Sequence, residues 1–159
     1  MFLTKKLSSV TIFAVFVLLS ALASADLANK HALTLKGAKT IAAAAEAEAT
    51  THKLNVVIAI VDDGGHLIYL QRLDNAPTGS LNVAIGKART SAAFRAPTSV
   101  FDKMASTRPA LTSIPDAVFL EGGVPIVVDG QVVGAVGVSG ASSQEDAQIA
   151  EAGINALLK

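Results

Sequence analysis

The chain has 159 residues, enough for one domain, of which 51% are hydrophobic and 4% aromatic, and its 13 basic and 13 acidic side chains cancel. Without a basic excess to meet phosphates, or aromatics on which bases could stack, this balance argues against a nucleic-acid partner. There is no cysteine, which removes thiolate catalysis, iron–sulfur clusters and covalent c-type haem attachment.

The first 25 residues have the pattern of an export leader. Lys5 and Lys6 form a basic start, residues 10–22 an apolar stretch, and Ala23-Ser24-Ala25 the small residues that a signal peptidase accepts. Cleavage after Ala25 leaves a single domain over residues 26–159 and an exported protein, periplasmic or secreted. The apolar stretch is shorter than the roughly 20 residues a membrane span requires, so no span is expected after cleavage. Loss of Lys5 and Lys6 leaves 11 basic against 13 acidic residues, a net charge of about −2.

Thr34 caps a predicted helix that runs to about residue 52, with Leu35, Ala38, Ile41, Ala42, Ala45 and Ala49 on one face. Residues 55–61 are a continuous apolar run, residues 62–65 a turn and residues 66–73 a returning strand, which makes a first hairpin. A second helix is expected over residues 80–95, burying Leu81, Ala84, Ile85, Ala88, Ala92 and Phe94, and Pro97 ends it. Thr98 or Ser99 then caps a short helix to about residue 105. Residues 106–115 form a loop broken by Pro109 and Pro115, and a brief strand is expected at 117–120.

From residue 121 the pattern is sharper. Glu121-Gly122-Gly123 breaks the chain, residues 124–128 are mostly β-branched, Asp129-Gly130 favours a tight turn, and residues 131–139 return as the partner strand. Gly134 and Gly137 inside that strand mark a bulge or the close approach of another backbone. Ser142 and Glu145 have capping-box spacing, so a last helix starts there. The order α, β, β, α, α, β, β, β, α gives a mixed α/β (α+β) domain, an antiparallel sheet of about five strands with helices on both faces.

This last run, together with Asp62-Asp63-Gly64-Gly65-His66-Leu67 and the stretch from Lys87 through Arg89, Thr90, Arg95 and Pro97 to Ser99, resembles the GlcG/HbpS family of haem-binding and related proteins. The resemblance spans residues 33–158 and extends to the C-terminal domain of PduO-type corrinoid adenosyltransferases. It implies a three-layer, profilin-like fold, a homo-oligomer, and noncovalent binding of haem b for storage, scavenging or sensing, with a sensor or transport protein as a further partner. The alternative it leaves is an enzyme or accessory protein that binds a small carboxylate such as glycolate, or a corrinoid.

Among the residues themselves, His31, His52 and His66 offer imidazoles suited to haem iron or another metal, although none stands in a metal-spacing motif. His66 begins a strand after Gly64-Gly65, where its ring can face a cleft or donate to a nearby carbonyl. His31 lies before the first helix. His52 lies near that helix's C-terminus, where the helix dipole is reason enough for it. Arg72, Lys87, Arg89 and Arg95 suit propionates or a substrate carboxylate. Arg72 can equally tie down the loop after its strand, and Lys87 can equally be an i to i+4 surface neighbour or make a salt bridge between subunits. The resemblance adds Thr90, since a hydroxyl residue can serve as axial ligand in the family, and a lysine at the position of Lys87. Asp62 and Asp63 are adequately explained by the turn they open.

Overall fold

The computed structural model describes residues 28–159, and the leader expected over residues 1–25 lies outside them. Helix α1 (Leu35–Thr51) begins where Thr34 takes extended backbone and its hydroxyl accepts a hydrogen bond from Gly37 N at 3.1 Å, an N-cap. Ala38, Ile41, Ala42, Ala45 and Ala49 form its buried stripe. Leu35, expected on the same face, is exposed.

Strands β1 (Val57–Asp62) and β2 (Leu67–Arg72) form the first hairpin, and β3 (Gly123–Val128) and β4 (Gln131–Ser139) the second. Asp129 and Gly130 have φ of 49° and 75°, the paired positive values that a tight two-residue hairpin turn needs. The two hairpins join side by side through β1 and β4, so a single antiparallel sheet runs in the order β2-β1-β4-β3.

Because β1 is central, both of its faces are covered. Ile58 and Ile60 pack with the alanines of α1 and with Ile149, Ala150 and Ile154 of α4 (Ser143–Leu157). Val57, Ala59 and Val61 face Ala84, Ala88 and Ala92 of α2 (Ser80–Phe94). Three layers result, α1 and α4 on one face and α2 on the other, as the alternation of side chains along a strand dictates. Helix α4 starts on the expected capping box, with Ser142 and Glu145 each accepting the other's backbone N–H.

The sheet has four strands rather than five. Residues 117–120, expected as a brief strand, pair with no ladder; Val118 N donates instead to Thr90 Oγ1 at 2.8 Å, and just after the segment Glu121 N donates to Asp102 Oδ2 at 2.9 Å. The segment thus crosses α2 as a strap, at the end of an excursion made by α3 (Thr98–Thr107) and a 3₁₀ turn (Pro109–Ser113). Both readings of the glycines in β4 hold. The register against β3 shifts between Ile126, which pairs with Gly134, and Val127, while Gly137 admits the backbone of α2. Residues His31–Lys159 form one compact unit, and among the described residues no helix is long and apolar enough to cross a membrane.

Candidate functional site

The turn between β1 and β2 is built around Asp62. Its Oδ1 accepts from Gly64 N at 2.9 Å and His66 N at 2.8 Å, which closes the turn as an aspartate in this position commonly does. The same oxygen lies 3.3 Å from Nδ1 of the His66 ring. Partial desolvation works to raise the Asp62 carboxyl, but the two backbone donors and the nearby imidazole outweigh it and leave the group below its ordinary value. An ionised carboxylate only accepts, so Nδ1 is the donor in this contact, and in the neutral imidazole Nε2 is then the nitrogen with a lone pair for another partner.

Beside this turn lies a half-open cavity of about 470 Å³, within the range usual for small-molecule sites. Gly64, Gly65 and His66 form one side, Arg89, Thr90, Ala93 and Phe94 of α2 a second, and Pro115, Asp116 and Ala117 of the strap a third. Arg89 Nε donates to Gly65 O at 3.3 Å, tying a cation to the rim. Phe94, expected in the core, is 43% exposed, and its ring meets Phe101 at 5.1 Å and Phe119 at 6.1 Å between centroids.

Of the candidates read from the sequence, His66 and Thr90 meet at this cavity, and Arg89 joins them. The other histidines sit elsewhere with carboxylates of their own. His31 Nε2 lies 3.6 Å from Asp129 Oδ2 at the tip of the second hairpin, and His52 Nε2 lies 3.1 Å from Glu48 Oε1 at the end of α1. Among the described residues, no group of three or more histidine or acidic side chains could hold a metal ion, so the three imidazoles share no site within one chain. Arg72 donates from Nε to Ala76 O at 3.3 Å, the loop-tying arrangement.

Lys87 is not at the cavity. It is 2% exposed, and its Nζ donates to Asp146 Oδ2 at 2.8 Å and Val138 O at 3.0 Å. The sequence offers an anion site, an i to i+4 surface neighbour or a salt bridge between subunits for Lys87, whereas the partner is a buried intrachain carboxylate at the start of α4, out of reach of any spacing argument. Sequence reasoning also missed the strap as a wall. The one available signal was Gly86, a glycine in mid-helix, where it costs about 1 kcal/mol against alanine and so asks for a packing reason.

A helix-covered antiparallel sheet with an apolar cavity beside a carboxylate-anchored imidazole defines a small ligand-binding α+β domain. The chain belongs to the family described as haem degrading protein HbpS-like, which matches residues 33–155. It is 43% identical to Protein GlcG of Escherichia coli K12 over 112 residues, 70% of this chain and 84% of that protein. The crystal structure of Streptomyces reticuli HbpS, solved as a double mutant, superposes with a TM-score of 0.77 at 36% identity, covering 83% of this chain and 91% of that one. A PduOC:heme complex superposes with a TM-score of 0.74 at 27% identity, over 79% of this chain and 95% of that one.

Proposed function

We propose that this protein is an exported haem-binding protein that holds haem b noncovalently in the cavity beside His66, for storage, scavenging or sensing, and that it works as a homo-oligomer. The observation that carries the reading is the Asp62–His66 pair at the cavity edge, because the carboxylate fixes the ring through Nδ1 and leaves Nε2 of the neutral imidazole as the nitrogen available to iron. The donor set fits the group. Ala93, Phe94, Pro115 and Ala117 offer apolar contact to a macrocycle, and Arg89 on the rim offers a cation to a propionate.

The absence of cysteine restricts attachment to this noncovalent kind. The basic, apolar and small-residue pattern of the first 25 residues supports export. Family membership and the haem-bound PduOC neighbour favour the same ligand. When bound, haem would supply a redox-active iron. His66 would hold the iron, Arg89 would meet a propionate, and Phe94 would offer apolar contact that excludes water.

Hemin titration followed by absorbance tests this. A saturable Soret band is expected in the wild type, and His66→Ala should shift the band and weaken binding by about 10–100-fold or more, since losing even an outer partner of a ligand has that effect. His31→Ala and His52→Ala should leave both band and affinity unchanged. Absence of a saturable band, together with tight binding of glycolate or a corrinoid, would transfer the cavity to the alternative ligand class.

A further inference from the structure

The third wall of the cavity belongs to no regular element, and what holds it is specific. Gly86 and Thr90 lie one turn apart on α2, and both meet Val118. A Cβ on Gly86 would overlap Val118 Cγ2 and lie 3.2 Å from Val118 Cβ, so only the bare helix backbone admits that side chain. Four residues later, Thr90 Oγ1 accepts from Val118 N at 2.8 Å, and Thr90 itself is 2% exposed. A threonine in a helix commonly bonds its own preceding turn. Here the hydroxyl oxygen is engaged across a tertiary contact, by an N–H that no strand serves.

The next residue seals the contact. Phe119 is 7% exposed and stacks on Phe101 at 5.3 Å between centroids. Immediately before Val118, residues 115–117 line the cavity. The wall's distance from His66 is therefore set where Val118 docks.

We propose that Thr90 is a positioning residue that anchors the strap and so sets the width of the haem cavity, and is not an iron ligand. The inference rests on the haem reading for its ligand, but the anchoring can be measured without haem. Thr90→Val keeps the shape and removes the acceptor, Thr90→Ser keeps the acceptor, and Gly86→Ala disturbs the same docking point from a residue outside the cavity.

In ligand-free protein, amide hydrogen exchange at Val118 and its neighbours should quicken about tenfold in Thr90→Val and remain near wild type in Thr90→Ser, while exchange in β1 and β4 stays unchanged. With hemin, Thr90→Val and Gly86→Ala should release the cofactor about tenfold faster, with the Soret maximum unmoved, and Thr90→Ser should restore the wild-type rate. A Soret maximum displaced in Thr90→Val and restored in Thr90→Ser would make Thr90 a ligand and overturn the proposal. Strap exchange unaffected by Thr90→Val would overturn it equally. If wild-type protein takes up no hemin, the haem reading fails, and the exchange measurement still decides the anchor.

Discussion

Asp146→Ala is expected to lower the free energy of unfolding by about 3–5 kcal/mol, because it leaves the Lys87 ammonium buried without its counter-charge. Both side chains of the pair are 3% exposed. Gly122 covers it closely, since a Cβ there would stand 2.7 Å from Lys87 Nζ and 2.8 Å from Asp146 Cβ. Truncation also deprives Ala141 N of the Asp146 Oδ1 acceptor at 3.1 Å. Thermal unfolding should show the loss as a fall in Tm of roughly 10–20 °C.

The pair itself is no large net source of stability. Burial raises the Asp146 carboxyl above its ordinary 3.8 and outweighs the opposing pull of Lys87 and of the Ala141 N–H. The double replacement Lys87→Met with Asp146→Leu should accordingly recover most of the loss, as apolar substitutes for buried ion pairs often do. The raised value also fixes a sign. Between 3.8 and the folded value, the native state keeps a proton that the unfolded chain has released, so stability falls as pH rises through that window. Asp146→Asn should flatten that part of the stability profile, measured by denaturant unfolding at several pH values. A slope unchanged by the substitution would show that the carboxyl does not titrate there.

The contrast between Lys87 and the hairpins shows what a sequence can disclose. Turn chemistry, strand alternation and caps are local, so Asp129-Gly130, residues 57–61 and the Ser142–Glu145 box were legible from a few neighbours each. Lys87 could be recognised as unusual in a small-residue helix, but its partner is 59 residues away and its burial depends on the arrival of α4 and of Gly122. Residues 117–120 misled for the converse reason. Their apolar pattern suits a strand, yet the sheet edge is not where they go, because Thr90 takes the Val118 N–H and Asp102 the N–H of the adjoining Glu121, both on helices.

The same division runs through the site. Gly64, Gly65 and His66 were visible as a turn followed by a histidine, and Asp62 was correctly read as the residue that opens the turn. Its second role, holding the imidazole, uses the same oxygen and adds no separate pattern to the sequence. The strap wall required knowing that residue 118 returns to residues 86 and 90, a tertiary fact. Phe94 shows the cost of assuming that an aromatic on an apolar helix face is core. It sits one position before the left-handed Arg95 cap, where the helix ends and the cavity begins.

Gly137→Ala should be nearly as damaging as loss of the ion-pair partner, and by a purely steric route. Gly137 lies near the end of β4 but is paired on both sides, with Ala59 and with Gly123, so the strand cannot yield sideways. The added Cβ would overlap Ala84 O and stand 2.6 Å from Ala88 N, both of them backbone atoms of α2. Gly123 meets the same helix, with its Cβ position overlapping Lys87 O, so the two glycines form a bare strip on which residues 84–88 rest. Overpacking costs typically 1–3 kcal/mol when side chains can give way. Here the obstacle is main chain, which puts the expected loss at about 3 kcal/mol or more in denaturant unfolding. Gly79→Ala is the control, because nothing lies within 4 Å of its Cβ position and its φ of −62° suits alanine, so it should stay within about 1 kcal/mol of wild type. Any folded Gly137→Ala protein must carry α2 displaced from the sheet, and α2 bears Arg89, Thr90, Ala93 and Phe94. Hemin affinity should therefore fall along with stability in this variant, although residue 137 is not among those lining the cavity. A variant that keeps wild-type stability would show that α2 does not rest on that strip.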